Sequence, residues 1–596
     1  MSDLPRRLAR RVFTAMPEPW KQRARSLRAR RSYPLNTRGL FPNAAMREWY
    51  LANGRPFSIV IPSYNDIPLL SEAMSSIERT CAGMDYEVII VDDYIDSDVQ
   101  QALRGFESDR VRVVLKDERR GFAGTVNVGM QLARHDIILL NSDVVAQPGW
   151  LEALQYSAYA VDAGIGMVSP KLVYPDGRIQ YAGTYYARLL APQWFGHLHV
   201  GSPATRPTAN VPGYNGSISG ACVYITRAAY DSVGLLDDEF WLGFEDVDYG
   251  LRAWRAGVRC YYQPAAMLVH HESASRGYSQ GHRELASMRR FWRRWEDRLL
   301  ARKVAQDAAV EFLVGEGSNG LWRTYVRELA ARLASTGREV RVLSPGASTR
   351  GRSGIVVACD WTVAEEAWLC AAEGDAVPLY LLPSVESIAH PTDPALQSRI
   401  VAGYRPEFDY IAPNRAVQRQ LQAETAWECR SRIAPAIAPE ALPSSSARTI
   451  VTVGASAAEA ARIRQVAGEV GANVKAVESV ESYDDIARIR AHSPRVVVSF
   501  LAEHNSLRPY ALMSIGATYL SPIDPALSHE VLDGYNALLF ARGDLDAMAR
   551  SLTDALTRDD VHDEVRGNGW ASAQRAADTA SSLIVHALAL TADSPV

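Results

Sequence analysis

The sequence predicts an α/β protein made of several mostly parallel, doubly wound sheets. Short aliphatic runs alternate with segments of helical periodicity from Phe57 onward, and these runs stop abruptly in polar residues. The same rhythm restarts at Ala309 and again at Thr449. At 596 residues the chain has room for three or four domains, each with its own core. An apolar content of 47% with 22% charged residues is that of a globular protein. No window reaches the eighteen or so uninterrupted apolar residues that a membrane-spanning helix needs, so a soluble or peripheral protein is expected. The six cysteines show no CxxC or CxH spacing, which argues against a zinc site and a disulfide framework and points to reduced thiols in a cytoplasmic compartment.

The overall charge of −4 conceals a basic arm over residues 1–54. Its first part holds Arg6, Arg7, Arg10, Arg11, Lys21, Arg23, Arg25, Arg28, Arg30, Arg31 and Arg38 against Asp3 and Glu18, with Leu8, Phe13 and Trp20 interleaved. Such a segment is either a solvated tail or a peripheral contact with the inner face of the plasma membrane, where each cation near anionic lipid contributes roughly 1 kcal/mol. It lacks the apolar core and small-residue cleavage site of a secretory signal.

In the first large region, residues 55–305, FSIVIPSYND from Phe57 reads as a strand opening into a polar loop, and Ile67 to Thr80 as a helix. Tyr86 to Val91 is a second strand ending in Asp92 and Asp93, Asp98 to Phe106 a helix, and Val111 to Leu115 a third strand. GFAGTVNVG from Gly121 then opens a helix, followed by the aliphatic strand that ends in Asn141-Ser142-Asp143. In open α/β sheets ligands bind beyond the carboxyl ends of strands. Ser63 to Asn65, Asp92 with Asp93, and Asn141 to Asp143 therefore face one crevice, suited to a nucleoside on one side and a cation with its diphosphate on the other. Asp143 alone is either a solvated residue at a strand exit or the anchor of that site. Gly121 and Gly124 either let backbone approach a ligand or simply pack a helix. The aromatic stretch from Ser169 to Gly216 suits sugar rings and ordinary cores equally.

Further on, Gly220 to Ile225 reads as a strand and Ala228 to Val233 as a helix; Glu245, Asp246 and Asp248 then stand at the head of another. Helix capping accounts for one of these carboxylates more easily than for three. The strand CYYQPAAMLV runs into His270 and His271, and this pair is either structural or exposed, or an imidazole at the strand end completes a metal site begun by Asp143. The Arg- and Trp-rich segment to Lys303 reads as an amphipathic helix packed on this region. Basic residues cluster in the arm and this helix while the crevice is acidic, which argues against a nucleic-acid binder.

Taken together, IPSYN, VDD, RGFAGTVNVG, LLNSDV, GAC, FEDVDYGLR and HHESASRG resemble the family 2 glycosyltransferases of the GT-A fold, and among them the rhamnosyltransferase-type enzymes of bacterial surface polysaccharide assembly. The resemblance implies an inverting transferase acting on a nucleotide-sugar donor and a glycan or lipid-linked acceptor. It assigns the donor to Pro62, Ser63, Tyr64, Asn65, Asp92, Asp93, Gly121, Asn127, Ser142 and Arg276. It assigns Mg²⁺ or Mn²⁺ to Asp143 with His270 or His271, and the general base to Asp246 of the Glu245-Asp246 pair. Asn141 stands where the family has the first acid of its metal motif, and Arg119-Arg120 where it usually has Asn.

The second half is expected to contain two Rossmann-like lobes, 306–432 and 449–596, joined by the Ala-, Pro- and Ser-rich linker. It resembles family 4 glycosyltransferases of the GT-B type, chiefly over Leu507 to Leu552. Glu503 is present, but Ala511 replaces the second glutamate of the family pattern, and no cations for a diphosphate stand early in the second lobe. An acceptor-binding or scaffolding module is expected in preference to a second active site. Two alternatives to the leading reading are a bifunctional transferase and a non-catalytic glycan-binding scaffold.

Overall fold

The computed structural model describes residues 44–186, 195–271, 282–299, 308–425 apart from 319, 348–353, 375 and 413, then 431–432, and 448–593 apart from 502–506. The basic arm up to residue 43 and Arg276 lie outside the described residues. The chain divides into two compact units, Met1–Leu300 and Ala301–Val596. Among the described residues no helix is long and apolar enough to cross a membrane. Five of the cysteines are free and buried.

The first unit is organised by one mixed sheet. Strands β1 (Phe57–Ser63), β2 (Tyr86–Asp92), β3 (Val111–Val114) and β4 (Asp136–Leu140) run parallel in the order β3-β2-β1-β4. The aliphatic residues of β1, β2 and β4 are fully buried, as expected where helices cover both faces of a parallel sheet, while those of the edge strand β3 are partly buried. β5 (Val144–Ala146), β6 (Ile165–Val173) and β7 (Ile179–Tyr181) follow, then a small pair, β8 (Thr184–Tyr186) with β9 (Phe195–His197). β10 (Gly213–Tyr214), β11 (Cys222–Ile225) and β12 (Arg259–His270) complete the chain of strands.

The mostly parallel expectation holds: β6 and β12 run in the same direction as β1 to β4, and the short strands β5, β7, β10 and β11 run against them. β11 lies antiparallel between β4 and β6, and β12 runs parallel to β6. β5 and β10 join β12 antiparallel. The direction of a strand is set by its partner rather than by its own aliphatic run, so the sequence pattern is silent about it.

The Arg- and Trp-rich helix is observed at His282–Leu299. Its Phe291, Trp295 and Leu299 are buried against Phe240 and Leu251. Asp248 is absorbed by this packing: it meets Arg252 at 2.9 Å, Arg294 at 2.9 Å and the Trp295 indole N–H at 2.8 Å. One of the three carboxylates at the head of helix Glu245–Arg255 is therefore structural.

In the second unit, β13 (Val310–Leu313), β14 (Val340–Leu343), β15 (Gly354–Ala358), β16 (Ala376–Leu381), β17 (Asp409–Ala412) and β18 (Ser431–Arg432) form a parallel sheet in the order β14-β13-β15-β16-β17-β18. β19 (Thr449–Val453), β20 (Asn473–Val477), β21 (Val496–Ser499), β22 (Thr518–Pro522) and β23 (Leu538–Phe540) form another, ordered β20-β19-β21-β22-β23. One core cluster is common to the two sheets, beside a second that belongs to the five-stranded sheet alone. Trp322, Tyr325 and Leu329 of helix Gly320–Ala334 share one apolar cluster with Val480, Ile486, Leu507 and Ala573. Arg332 also donates to the Ala577 carbonyl across this seam at 3.1 Å. A helix apolar on more than one face needs a second sheet to cover it.

At the carboxyl edge of the six-stranded sheet, Glu386 accepts from the Tyr380 hydroxyl at 2.6 Å and the Trp361 N–H at 2.9 Å. Burial pushes its carboxyl up to about 8. The folded state thus holds this proton more tightly than the unfolded chain. The associated stability is complete below the ordinary carboxylate range and is lost as pH rises through about 8. The unfolding midpoint of the second unit is expected to fall over that window in wild type and to flatten in Glu386→Gln, as followed by urea titration at a series of pH values.

Candidate active site

Four segments converge on the carboxyl edge of β1, β2 and β4. The loop after β4 is pinned when the Asn141 N–H donates to the Ala221 carbonyl at 3.0 Å, at the entry to β11. β12 arrives from the other side of the sheet. Its antiparallel register with β5 sets His270 opposite Val144, and the His271 N–H closes onto the Asp143 carbonyl at 3.0 Å. The result places His270 Nε2 3.1 Å from Asp143 Oδ1, with both side chains about nine-tenths buried. His271 turns away, its Nε2 3.9 Å from Glu72. Of the two candidate histidines, only His270 faces the carboxylate.

A carboxylate oxygen and an imidazole nitrogen at this separation fit a hard or borderline divalent cation such as Mg²⁺ or Mn²⁺. Among the described residues no group of three His, Cys, Asp or Glu side chains converges. Two protein ligands leave the remaining positions to phosphate oxygens and water, the usual state of cations that work on diphosphates. Asn141 Oδ1, two residues before Asp143, is buried without a hydrogen-bond partner. A buried carbonyl oxygen in that state calls for a donor or a cation.

Behind this pair lies a carboxylate that the motifs did not reveal. Asp66 accepts from the Ser142 hydroxyl, from the Ser63 hydroxyl at 3.0 Å and from the Tyr64 N–H at 3.2 Å. Burial, and to a lesser degree the Asp143 charge, push its carboxyl above the usual range while these bonds oppose the shift. Ser63 and Ser142 are thus tied to one another through Asp66. Only their distance in sequence concealed the link.

The β2 side of the edge is equally specific. Asp92 accepts from Tyr94 N–H at 2.9 Å and Gln100 Nε2 at 2.9 Å. Asp93 Oδ1 takes Lys116 Nζ at 2.7 Å and the Arg120 N–H at 2.9 Å. Pro62 precedes Ser63 at the end of β1. The Tyr64 ring meets Tyr94 edge to face at 5.0 Å, and the Arg119 guanidinium lies 4.7 Å from the Tyr64 ring centre. Asn65 adopts a left-handed backbone with φ of 50°, a conformation that Asn tolerates better than most residues. Together Tyr64, Tyr94 and Arg119 offer flat, partly exposed faces of the kind on which a base stacks.

Two expected donor residues also have structural partners. Asn127 is buried, its amide clamping Leu236 with bonds of 2.8 Å to the carbonyl and 3.0 Å from the N–H. Gly121 has φ of 70°, and a Cβ there would stand 2.5 Å from the Trp241 carbonyl. Its missing side chain allows close packing of the Trp241 loop.

Asp246 sits on the first turn of helix Glu245–Arg255, after Phe244 at a left-handed φ of 68°. Non-glycine residues hold that conformation at a cost of order 1–3 kcal/mol and are concentrated at functional sites. Asp246 Oδ2 accepts the Gly220 N–H at 2.7 Å and Oδ1 the Val247 N–H at 2.8 Å. Burial raises its carboxyl; the two N–H groups and the facing His197 partly offset the shift. Gly220 immediately precedes the Ala221 that pins Asn141, so backbone bonds link Asp246 to the Asp143 loop. Glu245 beside it is buried at 6% exposure.

The first half of the chain is similar to known proteins. Residues 58–204 match the family model described as Glycosyl transferase family 2. The chain is 34% identical over 274 residues to the uncharacterized protein y4gI of Sinorhizobium fredii, covering 43% of this chain and 29% of that one. It is 28% identical over 234 residues to the O-antigen biosynthesis protein RfbC of Myxococcus xanthus, covering 38% and 18%. It is 29% identical over 156 residues to an N-acetylglucosaminyl-diphospho-decaprenol L-rhamnosyltransferase of Mycobacterium tuberculosis, covering 24% and 48%. The chain thus spans less than half of each of these relatives.

Proposed function

We propose that the first unit is an inverting, metal-dependent glycosyltransferase of the GT-A type. In this reading it moves a sugar, rhamnose by analogy with the rhamnosyltransferase relative, from a nucleotide-sugar donor to a growing surface polysaccharide or lipid-linked glycan. The observation that carries the reading is the buried Asp143–His270 pair at the strand edge, tied through Ala221 and Gly220 to Asp246. Asp143 and His270 would hold the cation, which supplies Lewis-acid stabilisation to the departing nucleoside diphosphate. Tyr64, with Tyr94 and Arg119, would stack the nucleoside, while Asp92 and Asp93 shape the loops around it. Asp246 would take the proton from the acceptor hydroxyl as that oxygen attacks the anomeric carbon from the face opposite the leaving group. A carboxyl raised by burial is a stronger base than an ordinary one, and its two backbone N–H partners hold it in one orientation.

Thermal unfolding with a panel of nucleotide sugars, each with Mn²⁺ or with EDTA, tests the reading. One donor is expected to raise the midpoint only when Mn²⁺ is present. Saturation at a hundred times the dissociation constant stabilises by about 2.7 kcal/mol, enough to separate it from the others. A panel in which no nucleotide sugar shifts the midpoint would overturn the proposal.

A further inference from the structure

The His270 imidazole has a second neighbour: Gln180 Oε1 lies 2.7 Å from Nδ1, with Gln180 itself 6% exposed. β7, which carries it, pairs antiparallel with β6, and β6 lies beside β12. The pairing is irregular at this point. Val173 faces Ile179 and Leu172 faces Tyr181, so Gln180 is the extra residue of a bulge. Bulges re-aim a side chain out of the normal alternation, and this one delivers an amide to the back of the imidazole.

We propose that Gln180 is a positioning residue for the cation site, matched to both tautomers of His270; the inference rests on the metal reading given above. With Oε1 accepting from Nδ1–H, Nε2 is left with its lone pair, directed at the same space as Asp143 Oδ1 3.1 Å away. Two acceptors that close are tolerable with a cation between them. A half-turn of the Gln180 amide puts its NH₂ against Nδ1 instead. Nε2–H then donates to Asp143, so the empty pair is also satisfied without moving either ring or carboxylate. A carboxylate at position 180 would serve the first arrangement alone, and an apolar side chain neither. Glutamine keeps the site intact when unloaded and aligned when loaded, the part that groups behind a ligand's own partner play at metal centres.

Mn²⁺ titration of the full chain, read by the loss of the free-ion electron paramagnetic resonance signal, tests this without reference to turnover. Gln180→Met preserves the length and volume of the side chain and removes its hydrogen bond; it is expected to weaken Mn²⁺ roughly 10–100-fold. Gln180→Glu restores the acceptor and is expected to recover most of that loss. A merely structural role would lower the melting midpoint of Gln180→Met without metal and leave Mn²⁺ affinity unchanged, and that result overturns the proposal. Asp143→Ala distinguishes the two levels of the argument. If Asp143→Ala abolishes Mn²⁺ binding while Gln180→Met does not alter it, only the role of Gln180 falls. If Asp143→Ala also leaves binding unchanged, or wild type takes up no Mn²⁺, the metal reading falls with it.

Discussion

Asp143→Ala is expected to lower the kcat/KM of sugar transfer on the order of 10³-fold and to remove Mn²⁺ binding, while leaving the fold intact. The size follows from the several kcal/mol that a cation contributes to a leaving diphosphate, at 1.36 kcal/mol for each factor of ten. The fold should survive because the β4–β5 turn is held by backbone bonds, Asn141 N–H to Ala221 and His271 N–H to the Asp143 carbonyl, and alanine keeps both. The assay also addresses the second unit. If every transfer activity of the chain disappears, an independent second active site there is excluded; if one linkage persists, the chain is bifunctional.

Asp246→Asn is expected to lower kcat by about 10²- to 10⁴-fold, with Mn²⁺ affinity and donor KM close to wild type. The amide keeps the shape of the carboxylate and one acceptor for the Gly220 or Val247 N–H, but it cannot take a proton. Because burial raises this carboxyl, the acid limb of the wild-type kcat–pH profile should lie above the range of an ordinary aspartate. Below that limb the base is protonated and transfer is lost; above it the rate is flat until another group titrates. Unchanged turnover in Asp246→Asn would sink the catalytic assignment and favour a non-catalytic glycan-binding role.

Strand ends were the most legible part of the site. Ser63, Asp92 and Asp143 each follow an aliphatic run, and that local pattern places a polar group at a sheet edge without knowledge of any partner. The helix over Ile67 to Thr80 has the bounds its periodicity implied. Residues whose meaning depends on a partner far along the chain were not legible in this way. Asn127 reads as a donor contact until Leu236 is seen in its amide, 109 residues away. Gly121 reads as a loop for a ligand until Trp241 is found against it. Gln180, Asp66 and His197 belong to no motif and have no periodic signature.

What the sequence alone determined is the α/β class, the restart of the pattern in the second half, and the set of polar strand ends that build one edge. All of these rest on periodicities of two and 3.6 and on the abrupt change from aliphatic to polar, which are local quantities. Only the tertiary structure decided which groups meet. The β5–β12 register chose His270 over His271, and the β6–β7 bulge brought Gln180 behind it. The packing of helix His282–Leu299 took Asp248 out of the acidic cluster, and a shared core joined two sheets that the linker seemed to separate. Register and long-range packing are settled by the free energy of burying whole faces together. That energy belongs to pairs of segments, and no single segment records it.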